Sequence, residues 1–197
     1  MLSRWPVVQN HLARRAARGD GAAFRSLYRA LHPQVHAYVG RRVAIAADAE
    51  DLVARVFHRM LEHLDRYDPD KASVRAWVLA IARNAVIDHH RTRREHTSVD
   101  DVAELLEDGS AHAFEPDDDE RARAVRVLVD ELPPATREML ALHFVEGLRY
   151  REIAAVCGAS EAAVKQRMAR TLRDLRAKVA AKAAASAAEK GAAGVAI

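Results

Sequence analysis

Cysteine occurs once, at position 157, in a chain of 197 residues. A single thiol excludes an internal disulfide framework and any Cys-rich zinc site, and it fits a reducing compartment. Aromatic residues are also scarce, at 5% against 50% hydrophobic residues in all. The apolar content therefore rests on alanine, leucine and valine. Alanine and leucine lose little side-chain entropy in a helix, which favours close-packed helices over sheets. No period-two alternation persists anywhere, and no apolar run is long enough to span a bilayer. Met1 to Val8 carries Arg4, Trp5 and Pro6 without the apolar core of a signal peptide. The expectation is an all-α, cytoplasmic protein with no membrane insertion and room for two small domains.

The net charge of +3 hides a sharper pattern. Residues 1–94 hold 17 Lys/Arg and 9 Asp/Glu, a net of +8. Residues 95–119 hold no Lys/Arg and 10 Asp/Glu, a net of −10. Residues 120–197 hold 14 against 9, a net of +5. Two basic blocks point to a polyanion such as DNA, and the acidic strip between them reads as a flexible linker.

Helical periodicity fills both blocks. Asp20 is placed to cap a helix carrying Phe24, Leu27, Tyr28 and Leu31, which Pro33 is expected to kink or interrupt before Val35, Tyr38 and Val39. Asp48 is expected to cap the clearest helix, with Leu52, Val53, Val56, Phe57, Met60, Leu61 and Leu64 on one stripe. Asp68-Pro69-Asp70-Lys71 reads as a turn, after which Ser73 caps a helix with Val74, Trp77, Val78 and Ile81 inward and a basic end at Arg91–Arg94. The linker, 95–119, has room for one short helix near 102–106. Beyond it, 120–178 packs several helices punctuated by Leu132-Pro133-Pro134, Gly147 and Gly158, and 179–197 is an alanine-rich tail, weakly helical or disordered.

The stretch from Leu148 to Arg176 has the layout of a helix-turn-helix: a short helix, a turn at Cys157-Gly158-Ala159, and a helix capped by Ser160. With Val164, Met168 and Leu172 inward, the opposite face presents Lys165, Gln166, Ala169, Arg170 and Arg173. Arginine grips guanine O6 and N7 bidentately, glutamine pairs with adenine, and alanine permits close approach. Arg149 and Arg151 are placed for phosphate contacts, which position without specifying. The plainer alternative is a solvated basic helix that enters no groove; the agreement of turn, cap, apolar positions and basic face argues against it.

The two halves together resemble the extracytoplasmic-function (ECF) sigma factors of bacteria. In the first half the resemblance rests on Gly19–Phe24, Ala49-Glu50-Asp51-Leu52, Val56-Phe57, Arg75–Val78, Ile81–Asn84 and Ile87-Asp88. In the second it rests on Leu132–Pro134, Glu146–Tyr150, Glu152–Ala154, Val164-Lys165, Arg167 and Arg170. The resemblance implies a sigma region two at 18–94, which docks on core RNA polymerase at the β′ clamp and opens the promoter −10 element. It implies a sigma region four at 120–178, which reads the duplex −35 element and meets the β flap. Polymerase contacts would fall on Glu50, Asp51, Ala54 and Arg55. The pair Ala54-Arg55 departs from the usual Gln-acid pair, and Val74 stands where an aromatic is common. Contacts to the −10 element, including a flipped non-template base, would fall on Asp68, Lys71, Ser73, Arg83, Asn84, Arg91 and Arg94. Extruding a base costs a few kcal/mol of lost stacking and pairing. The family also implies an anti-sigma partner, and a linker that occupies the polymerase RNA path.

Two other functions bear on particular residues. A stand-alone helix-turn-helix regulator would bind promoter duplex without polymerase. A metal phosphoesterase would use Asp88-His89-His90, yet that tripeptide lies in an amphipathic helix with no second carboxylate cluster. His32 and His36 lack a third ligand, Trp77 reads as core, and Cys157 as a small buried hydrophobe. The sequence therefore assigns no catalytic residue, no metal site and no cofactor.

Overall fold

The computed structural model describes residues 5–96 and 120–193, with side chains for 8–93 and 122–182. Residues 97–119, with most of the acidic strip and the helix expected near 102–106, lie outside the described residues. The first half comprises α1 (Trp5–Ala16), α2 (Gly21–Gly40), α3 (Ala46–Glu62), a 3-10 turn (Leu64–Arg66) and α4 (Val74–His96). The second comprises α5 (Glu120–Asp130), α6 (Pro134–Phe144), α7 (Tyr150–Cys157) and α8 (Glu161–Ala193). The described residues contain no strand.

Several expected signals act as read. Asp20 Oδ1 accepts from the amides of Ala22 at 3.0 Å and Ala23 at 2.9 Å, and these bonds with Arg15 hold its carboxyl below the usual range. Ser160 Oγ accepts from the Ala163 amide at 3.2 Å, and Ser73 Oγ from the Ala76 amide at 3.3 Å. Leu52, Val53, Val56, Phe57 and Met60 are buried, whereas Leu61 faces solvent and Leu64 lies buried in the 3-10 turn.

Three features differ from the expectation, and the tail takes the helical of its two expected forms. Helix α1 lies ahead of the first helix expected from periodicity. Among its described side chains the buried positions are Gln9, Ala13 and Ala16, two of them small and one polar, so they carry little hydrophobic signal. Pro33 does not interrupt α2, which runs through it. Pro33 and Arg29 are both exposed, so water can satisfy the carbonyl that the proline leaves without a donor. Asp48 does not cap α3. The N-cap is Ile45, and Asp48 sits in the first turn, where a carboxylate still favours the helix dipole. Helix α8 continues as one helix to Ala193, across the tail expected from 179, consistent with the high helix propensity of alanine.

The prolines at 133 and 134 divide labour in the second half. Pro133 is the N-cap of α6 and Pro134 its first residue, where a missing amide costs nothing. Leu140, Leu142, Leu148, Ile153, Val164 and Met168 form the core beneath, each at most 2% exposed. Leu142→Ala is expected to lower the unfolding free energy by about 2–5 kcal/mol. Gly158 has φ 65° and space for a Cβ, so Gly158→Ala is expected to cost only the backbone term, about 1–2 kcal/mol. Urea denaturation monitored by circular dichroism measures both, and a larger loss at Gly158 than at Leu142 would contradict this packing.

Candidate nucleic-acid interface

Gly158 closes α7 in the left-handed region, at φ 65° and ψ 35°, which turns the chain sharply into α8. Ile153 and Val164, on the two helices of the turn, are fully buried. The opposite face of α8 therefore points outward, and Lys165, Gln166, Ala169, Arg170 and Arg173 are all exposed along it. Lys165 pairs with Glu161 at 2.6 Å. The other four line a groove of about 860 Å³ whose far wall includes Leu132, Pro133 and Thr136, at the start of α6. The five residues expected to read duplex DNA thus share one surface.

The loop between the 3-10 turn and α4 is locally organised. Asp68 Oδ1 accepts from the Asp70 amide at 2.9 Å, and Lys71 pairs with Asp68 at 3.7 Å. Lys71, Asn84 and Arg91 are exposed, Arg91 lying 3.5 Å from Asp88. Arg83 points elsewhere. It is half-buried beside Tyr38 and Cys157, where burial pushes both the phenol and the thiol up and Arg83 opposes each shift. The side chain of Arg94 lies outside the described residues. Glu50, Asp51, Ala54 and Arg55 are all exposed on α3.

The two halves meet face to face, chiefly through α4 and α7. Tyr38 donates to Glu138 at 2.6 Å, and Arg42 donates to the other oxygen of Glu138 from Nε at 3.2 Å and Nη2 at 2.9 Å. Arg41 and Arg75 both bond to Glu146, which is 6% exposed. Ser73 donates to Glu152, while Arg151 donates to the carbonyl of Asp70. Glu152 also accepts from the Arg149 amide at 3.1 Å, so one carboxylate caps α7 and reaches the loop.

The family described as Sigma-70 region 2 matches residues 27–96, and Sigma-70, region 4 matches residues 122–175. The ECF RNA polymerase sigma factor SigC of Mycobacterium tuberculosis is 34% identical over 161 residues, covering 81% of this chain and 84% of that protein. This chain belongs to the ECF sigma factor family. A second relative, the ECF RNA polymerase sigma factor BldN of Streptomyces coelicolor, is 32% identical over 83% of this chain but only 63% of its own length. Among solved structures, CnrH in complex with the cytosolic domain of CnrY gives a TM-score of 0.56 at 28% identity, covering 90% of this chain and 98% of that one. The sigma factor RpoE from Bartonella quintana, in complex with the anti-sigma factor NepR, shares the fold at a TM-score of 0.57 and 22% identity, covering 79% and 96%.

In this sigma factor the residues tempting for other chemistry hold the fold together. His89 faces Asp48 at 3.7 Å, and burial followed by the neighbouring His90 lowers its pKa. His90 meets the carbonyl of Arg42 at 2.9 Å. His32 stacks on Phe57 and His36, and Trp77 is half-buried against Tyr67 at 5.2 Å. The described residues contain no group of three or more His, Cys, Asp or Glu able to hold a metal. Sequence reasoning missed Tyr38, Arg41, Arg42 and Glu138 as an interface, because partners about a hundred positions apart leave no local signal.

Arg42 is 2% exposed and Glu138 13% exposed at the side chain. Removing one partner of such a pair strands the other charge, at about 3–5 kcal/mol while it stays buried. Glu138→Ala is therefore expected to let the halves separate. Small-angle scattering should show a larger radius of gyration with helical content unchanged. An unaltered radius and unaltered stability would show that Glu138 does not hold the halves together.

Proposed function

We propose that this sigma factor acts in the cytoplasm by docking on core RNA polymerase and directing initiation at promoters gripped at two points, with no catalysis of its own. Region two (18–94) takes the clamp through Glu50, Asp51, Ala54 and Arg55 and the −10 element through Asp68, Lys71, Ser73, Asn84 and Arg91. Arg94 belongs to the same set, and Arg83 joins it once the halves part. Region four (120–178) takes the β flap and reads the −35 duplex with Lys165, Gln166, Ala169, Arg170 and Arg173, while Arg149 and Arg151 grip phosphates. The residues 95–119 join the two, and an anti-sigma protein is the further partner the family implies. The observation that carries the reading is the single outward face of α8, basic and groove-lined, in a chain that also holds the polymerase-docking module.

The closed contact belongs to the free chain. Elements centred at −35 and −10 lie about 25 base pairs apart, or roughly 85 Å at 3.4 Å per step. Ser73 and Arg151 sit within hydrogen-bonding distance of Glu152 and Asp70 on the facing halves. Both elements cannot be engaged without opening, and docking on polymerase is the step that separates them.

Run-off transcription with purified core polymerase tests this reading. The chain should support specific initiation only with core enzyme. Arg170→Ala should lower initiation about ten- to hundredfold at promoters with the cognate −35 sequence, the effect of losing one bidentate base contact. Arg149→Ala should weaken all sequences alike and reduce the salt dependence of binding. Tight, specific binding of promoter duplex by the free chain, unaffected by core enzyme, would establish the stand-alone regulator instead.

A further inference from the structure

Helix α1 precedes the part of the chain matched by the region-two family, which begins at residue 27. It nonetheless reaches the loop at Asp68–Ser73. Asn10 Oδ1 accepts from the Tyr67 hydroxyl at 2.8 Å and lies 3.4 Å from the backbone amide of Val74. The Tyr67 hydroxyl also lies 3.0 Å from the carbonyl of Ala72. Tyr67 is the residue before the loop, and Val74 the residue after it. One oxygen atom on α1 therefore ties the two ends of the loop together.

We propose that Asn10 is a positioning residue for base selection by the loop at 68–73, acting through Tyr67. The proposal deepens the reading of that loop as the −10 selector and rests on it. The chemistry is specific. The first amides of a helix have no partner within it, and Ser73 Oγ already accepts from Ala76 on the next turn. Asn10 supplies the acceptor for the Val74 amide, and with it sets where α4 begins. The phenol of Tyr67 has a single proton, which Asn10 and the Ala72 carbonyl share. Burial pushes that phenol up to about 12, so it remains a donor throughout the physiological range.

The strut itself is rigid. Ala13 and Ala16 are buried where α1 lies on α2 and α4, and Gln9 is 3% exposed. At the far end of α1, Arg15 pairs with the Asp20 cap of α2 at 2.6 Å. Tyr67 packs against Trp77 in a tilted pair, with ring centroids 5.2 Å apart, which holds its ring in place when the hydroxyl bond is removed. A loop that must hold one extruded base needs its backbone fixed before the base arrives. A loop free to rearrange repacks around the wrong bases as well as the right one, and discrimination falls.

The test uses the full-length protein in holoenzyme, on promoters carrying each of the four bases at the −10 position that wild type discriminates. Asn10→Ala and Tyr67→Phe are each expected to reduce the preference for the best base over the others about tenfold, the worth of one ordering hydrogen bond. Core binding and the response to −35 substitutions should stay unchanged. Asn10→Asp, which keeps the acceptor, should restore the preference, and the double variant should lose no more than either single one. Two outcomes would overturn the proposal: wild-type preference in both single variants, or an equal loss on all four templates. Asp68→Ala run alongside separates the two levels. If it shifts the preference while Asn10→Ala does not, only the role of Asn10 falls; if neither shifts it, the loop is not the selector and both fall.

Discussion

The contact between Arg42 and Glu138 governs how the two halves of this protein relate. Arg42 lies over the Tyr38 ring, 3.7 Å from its centroid, and donates to the Tyr38 carbonyl at 2.9 Å. Its own carbonyl meets His90 on α4. Helices α2 and α4 of region two therefore hold in place the residue that region four addresses through Glu138. Buried ion pairs add little net stability, because desolvating both charges offsets most of their attraction. They do fix register, since a guanidinium with this many partners fits only one placement. The pair also separates cleanly: when the halves part, both charges regain water together.

The fold was legible wherever a residue type has one dominant physical use. Gly158 in the left-handed region, Ser160 and Asp20 as caps, and the stripe from Leu52 to Met60 all follow from local rules, and they hold. Where one residue type serves two purposes, the reading slipped. Asp48 at a helix start fits a cap or a first-turn charge equally well, and its contacts with His89 and Arg93 of α4 place it as the latter. Pro33 breaks a helix only where the freed carbonyl has no other donor. Helix α1 escaped notice because close packing through Ala13 and Ala16 relies on small size, which hydrophobic periodicity does not register.

The candidate site divides in the same way. The outward face of α8, proposed to read DNA, was legible as a face because the buried residues Val164 and Met168 dictate where Lys165, Gln166, Ala169 and Arg170 must point. Helical spacing fixes a side chain's direction relative to its own domain. It says nothing about what the other domain places there. Arg83 lies on the face of α4 that region four covers, so a basic residue assigned to DNA sits half-buried against Tyr38 and Cys157. The acidic partners Glu138, Glu146 and Glu152 are likewise invisible as a set until the helices bring them to one side.

On the proposed reading, the distribution of exposed and covered residues also imposes an order. Glu50, Asp51, Ala54 and Arg55 stay exposed on α3, and none of them takes part in the contacts between the halves. The −10 loop is different, because Arg151 and Glu152 engage Asp70 and Ser73 directly. The polymerase-facing strip is thus available while two residues of the loop are held by the other half. A partner that binds only the open form shifts the equilibrium by its preference for that form. Polymerase can first meet the chain through α3, before any opening, and then gain its remaining contacts as region four swings away. In region two Lys71, Asn84 and Arg91 are already open to DNA, whereas Ser73 and the Asp70 carbonyl become available only after Glu152 and Arg151 have let go. The contacts that hold the halves together therefore make engagement of both promoter elements at once conditional on opening, which polymerase can drive.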